Sequence, residues 1–158
     1  MLVLENFIQN EAIKILILSM LPITELRFSI PYGIKYYTLS IQNIILLSII
    51  GNIFIGIIVT YIIGPFMNIL KKINIFKSII EYIFRKTKNK GELIDKKKFY
   101  GLIIFVGIPL PFTGVWTGAL AAYLFALPKE RTIVGIIIGV IISSTIVTTL
   151  TVFALNIL

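Results

Sequence analysis

The chain has 158 residues, of which 58% are hydrophobic and 14% charged, with a mean hydropathy of +1.00. Soluble domains carry roughly 45–50% apolar and about 25% charged residues, and one of this length has too little interior to hide the excess, so lipid must be the solvent for much of it. With no cysteine and no histidine, disulfide frameworks, thiolate metal sites, cysteine nucleophiles and histidine acid–base pairs are excluded.

The N-terminus does not read as a signal peptide: Glu5 stands in its first turns without an early Lys or Arg, and no small-residue cleavage site follows Leu21. The first apolar block, Ala12 to Gly33, is interrupted by Pro22, Glu25, Arg27 and Pro31. Its unbroken arm, Ala12 to Leu21, measures only about 15 Å as helix, half a bilayer. The block, taken as 12–40, is therefore predicted to turn back near the midplane as a re-entrant hairpin. Residues 41–63 follow without a charge and cover about 35 Å as helix, enough to cross a hydrocarbon core of about 30 Å.

Most of the formal net charge of +8 lies in the next segment. Lys71, Lys72, Lys77, Arg85, Lys86, Lys88, Lys90, Lys96, Lys97 and Lys98 stand there against Glu81, Glu92 and Asp95. Between two apolar stretches, and with no base-reading fold beside it, such a run reads as a cytoplasmic loop rather than a nucleic-acid site. Within it Phe66, Ile69, Leu70, Ile73, Phe76, Ile80 and Ile83 keep helical spacing. Residues 65–98 are thus predicted to form an amphipathic helix on the cytoplasmic membrane surface followed by a short hydrophilic link, its lysines favoured by anionic lipid.

Residues 99–128 repeat the broken pattern, with Gly107, Pro109, Pro111, Gly114 and Gly118 inside the block. If this block turns back, Lys129 and Arg131 rejoin the basic loop on one side, as the positive-inside rule prefers. Residues 132–155 form a second uncharged span, with Gly135, Gly139 and Ser143 as a close-packing face. Pro22-x-Thr24 recurs as Pro111-x-Thr113 at an offset of 89. Each hairpin precedes one full span, and a single crossing separates the hairpins, so they enter from opposite faces. The predicted fold is an all-α polytopic membrane protein, a single domain over 1–158. It is an inverted repeat of re-entrant hairpin plus transmembrane helix, with both termini opposite the basic segment, an arrangement many secondary transporters use.

The candidate ligand-binding residues lie on the breaks. Glu25 and Arg27 are the only ionisable side chains placed deep, where a charge costs at least about 2.5–3.5 kcal/mol and must be paired or hydrated. Two apart in an extended stretch, they would face the same way. Glu25 would accept a proton or cation and Arg27 an anionic group such as phosphate. Alternatively the two neutralise each other, or Arg27 ties free carbonyls at the hairpin tip. Thr24, Pro31, Pro109 and Pro111 shape the tips. Thr113, Trp116 and Thr117 offer hydroxyls and an indole donor, and Gly114 permits close backbone approach. Asn52, mid-span, reads as helix–helix glue or a ligand group. No second deep carboxylate and no ligand cluster is present, so neither an enzyme nor a cofactor or metal site is expected.

The blocks Glu25-Leu-Arg27-Phe-Ser-Ile-Pro31-Tyr-Gly33 and Gly107-Ile-Pro109-Leu-Pro111-Phe-Thr113-Gly114-Val-Trp116-Thr117-Gly118-Ala119 resemble the small multidrug export protein family. Its members carry an early E-L-R-x-x-I-P block and a late P-x-P-x-T-G-x-W-T-G-A block. Phe28 stands where that family often has Gly. The family looks distantly related to the DedA (VTT, SNARE-associated) membrane proteins, which implies two re-entrant hairpins and, in several cases, work on lipid carriers or phospholipids. The resemblance implies a transporter-like protein whose partners are membrane lipids and a small-molecule or lipid substrate. The expectation is a secondary exporter, with proton coupling through Glu25 where coupling exists. Its rivals are a lipid or polyprenyl-phosphate flippase and a non-transporting scaffold. Two full spans are few to enclose a pathway, so a homodimer is expected.

Overall fold

The structure, a computed structural model, describes residues 10–70 and 92–157. Among these residues there are six helices and no strand: α1 (Glu11–Met20), α2 (Glu25–Tyr36), α3 (Ile41–Leu70), α4 (Glu92–Gly107), α5 (Val115–Leu124) and α6 (Lys129–Ile157). The amphipathic surface helix expected within 65–98 falls largely on residues 71–91, outside the described residues.

The breaks between short helices follow from proline chemistry. Leu21 adopts an extended conformation (φ −72°, ψ 141°) ahead of Pro22, because a residue before proline is pushed out of the helical region. Pro109 and Pro111 end α4 in the same way. Proline does not break every helix here. Pro31 stands inside α2 and Pro65 inside α3, so the helix that starts at residue 41 runs on past residue 63. Each such proline removes one backbone donor and is carried by an otherwise continuous helix.

The helices pack as two groups, each of two short helices and a long one. In the first, α1 and α2 double back on each other. The Glu11 carboxylate at the start of α1 accepts hydrogen bonds from the Thr38 N–H and hydroxyl beyond the end of α2, both at 3.0 Å. The long helix α3 runs parallel to α1 and antiparallel to α2. Gly51 lies so close to α1 that a Cβ would strike the Ser19 hydroxyl and the Leu16 carbonyl, while Ser29 donates to Ser48 at 2.8 Å. In the second unit α4 and α5 double back, and the Lys98 ammonium donates to the Phe125 carbonyl at 3.0 Å. The long helix α6 runs parallel to α4, with Gly135 against Leu102 and Gly139 against Val106. The small-residue face expected on this helix therefore does pack closely.

The two long helices cross antiparallel: Gly56 of α3 meets Ile136 of α6, while Ile45 shares a groove with Ser144 and Thr148. Both are long and apolar enough to cross a bilayer. Leu46, Phe54 and Ile62 on α3, with Ile141, Leu150 and Phe153 on α6, turn exposed apolar side chains outward, a surface that water would not tolerate over such an area. The buried core runs between the units through Leu26, Ile30, Val59, Val106, Val115, Ile136 and Val140. Both hairpin tips lie level with the middles of the long helices. Ser19 is bonded to Asn52, and Gly107 packs on Ile142.

Candidate functional site

Where the two hairpin tips meet, each leaves backbone groups that its own helices no longer satisfy. Helix ends strand carbonyls at the C-terminus and N–H groups at the N-terminus, and a buried unpaired group costs about 1–3 kcal/mol. The tips settle this debt partly at home. Thr24 donates its hydroxyl to the Leu18 carbonyl. At the position 89 residues on, Thr113 donates to the carbonyls of Ile108 (2.9 Å) and Leu110 (2.8 Å).

Further donors reach the tips across the junction. Arg27 spreads its guanidinium over the second tip, donating to the carbonyls of Leu110 (2.6 Å), Thr113 and Ile108 (3.4 Å). The same offset of 89 that relates the two threonines relates Arg27 to Trp116. Trp116 returns the arrangement: its indole N–H donates to the Met20 carbonyl of the first tip at 3.1 Å. Asn52 supplies a further donor from α3, to the Ser19 carbonyl at 3.1 Å.

Glu25 completes the junction. It is buried, and its backbone sits in the left-handed region at φ 45°, a conformation seldom adopted by a residue with a Cβ. Its carboxylate reaches the first turn of α5, accepting from the Trp116 N–H at 3.5 Å and bonding the Val115 N–H. The N-cap of α5 is Gly114, which has no side chain to cap with; the carboxylate of the other hairpin takes that place, favoured by the positive end of the helix dipole. Gly114 has φ +147°, and a Cβ there would overlap the Glu25 carboxylate. Only glycine fits both demands.

Around these groups lies a cavity of about 430 Å³. Of the residues singled out in the sequence, Glu25, Arg27, Pro109, Pro111, Thr113, Trp116 and Thr117 line it together. Gly114 lies beneath the Glu25 carboxylate, and Thr24 braces the first tip. Pro31, a turn beyond Arg27 inside α2, and Asn52, buried beneath the first tip, are not among the lining residues. The cavity also takes in Pro22, Ile23, Leu110 and Phe112. Ile23 and Phe112 are the middle residues of the two Pro-x-Thr triplets, 95% and 90% exposed; the repeat itself was the signal that could have found them.

One expectation is corrected. Glu25 and Arg27 do not present together from an extended strand, because residue 25 opens a helix. They aim instead at opposite ends of the facing break: the carboxylate at the N–H groups of α5, the guanidinium at the carbonyls following α4. The tie to free tip carbonyls is realised, but on the other hairpin. Among the described residues no three metal-ligating side chains stand together. The cavity's chemistry is that of one carboxylate, one guanidinium, hydroxyls and an indole.

Neither a curated protein nor a solved structure matches the chain. A family model described as "Putative small multi-drug export protein" matches residues 25–146, a stretch that begins at Glu25, just past the first tip, and contains the second. The chain belongs to this export-protein family, and its two long apolar helices mark it as a membrane protein.

Proposed function

We propose that the protein is a small-molecule exporter whose central site is the cavity between the crossed tips. Both hairpins are re-entrant, and the two units form an inverted repeat. Several observations support this reading. The tips lie level with the middles of the long helices, and the long helices are antiparallel while each unit repeats the same order. Lys98, Phe125 and Lys129 gather at the end opposite Glu11 and Thr38. Non-helical backbone at membrane depth is tolerated where it is buried in protein or lines a cavity. The observation that carries the proposal is that both family motifs converge on one cavity holding the deep carboxylate and guanidinium.

Glu25 is the coupling group in this reading. As a carboxylate it accepts from the α5 N–H groups; a proton on it removes the charge, weakens those bonds and loosens the tips. A small organic cation then competes for the same carboxylate, with the Trp116 ring beside it offering cation–π attraction.

The test is transport in liposomes holding the purified protein. An imposed pH gradient should drive export of a fluorescent organic cation, and Glu25→Gln should abolish the gradient dependence. Wild-type flux in both Glu25→Gln and Arg27→Ala would sink the central site. Movement of a labelled phospholipid without cation flux would favour a flippase instead. Cysteines introduced singly at Lys96, Lys129 and Asn10 in this Cys-free chain should label from one side for the first two and from the other side for the third.

A further inference from the structure

A second cleft lies away from the tips, at the end of the molecule where cations gather. It has a volume of about 520 Å³ and opens between α4 and α5. Its mouth carries Lys97 and Lys98, and its wall is apolar, running inward through Leu102, Phe105, Phe125 and Leu127. The floor is open because it is made of small residues: a Cβ on Gly101 would meet no atom within 4 Å. Lys98 is fixed at the mouth by its hydrogen bond to the Phe125 carbonyl.

From this geometry we infer that the cleft is a binding site for an anionic phospholipid. The phosphate rests on Lys97 and Lys98, and an acyl chain lies along the apolar wall. Two cations above an apolar slot between membrane helices match a negative headgroup with a hydrocarbon tail, whereas a free phosphate would leave the slot empty. Charge decides between this cleft and its neighbour. The neighbour, beside Phe99 and Tyr100, is lined by Lys96 and Arg131 but also by Glu130, whose carboxylate opposes an anion. Among the described residues, the lining of the cleft at Lys97 has no acidic residue.

The site depends only on membrane placement and not on the tip cavity, so transport and lipid binding can fail separately. The test is native mass spectrometry of the full chain in mild detergent, titrated with phosphatidylglycerol or with phosphatidylcholine of the same chains. Wild-type protein should retain phosphatidylglycerol at least about fivefold more tightly. The double variant Lys97→Gln/Lys98→Gln should lose that preference. Gly101→Leu, whose Cβ meets no atom within 4 Å, should fill the floor and weaken both lipids while thermal unfolding shows the protein folded. Lys96→Gln/Arg131→Gln, on the neighbouring cleft, should leave the preference intact. Equal retention of the two lipids by wild type would overturn the site. So would a loss in the Lys96/Arg131 variant as large as in the Lys97/Lys98 variant, since that is diffuse surface attraction.

Discussion

The two hairpin tips share a scaffold and divide the chemistry. Both turn on Pro-x-Thr, and both threonines back-bond into their own tip. At the next position the first tip has Glu25 and the second Gly114; two positions further they have Arg27 and Trp116. One tip therefore brings the charged side chains, and the other brings bare backbone for them to hold. The difference teaches that two tips can be alike in their turns and complementary in their contacts. A side chain that served both halves alike could not fill both roles.

The most severe way to break this complementarity is Gly114→Ala. It places a Cβ on the Glu25 carboxylate and forces a glycine-only backbone conformation, for a loss of about 4 kcal/mol from overpacking and strain together. Thermal unfolding in detergent should show a large drop in midpoint or no folded protein. Next is Arg27→Ala, which takes a donor from three carbonyls of the second tip and leaves that of Thr113 without its cross-tip partner, and should cost about 3 kcal/mol. Arg27→Lys should recover less than half of this, because an ammonium lacks the planar fork. Full recovery with Lys would show that charge alone matters at this position.

Smaller effects sharpen the comparison further. Trp116→Phe removes the bond to the Met20 carbonyl and part of the ring's packing on the core, and should cost about 1–2 kcal/mol. Combined with Arg27→Ala, it should cost less than the two separate losses added, by more than about 0.5 kcal/mol, since both ties hold one junction. Additive losses in the cycle would mean that the tips are independent. Smallest of all, Thr24→Val and Thr113→Val should each cost about 1 kcal/mol or less. The Thr113 change should be the larger, because that hydroxyl serves two carbonyls.

The long helices were legible because uninterrupted apolar runs of bilayer length have few other uses, and the tips because Pro22, Pro109 and Pro111 interrupt such runs. Helix ends were less legible. Pro65 looked like a terminus yet sits inside α3, and Pro31 sits inside α2, since a packed helix tolerates one missing donor where an isolated one would bend. For the candidate site, spacing brought Glu25 and Arg27 to one break but did not give their direction. Their aim depends on the left-handed backbone at Glu25, which no local pattern announces, and on acceptors more than eighty residues away. The equivalence of Arg27 and Trp116 was already present in the offset of 89, hidden because the two side chains share no chemistry except the ability to donate a hydrogen bond.

Reciprocal anchoring has a mechanical consequence. Each finger holds the other by a donor rooted in its own backbone, so neither can withdraw alone without stranding acceptors on both. Separation must then proceed as one concerted release over a single barrier, with little population of half-parted intermediates.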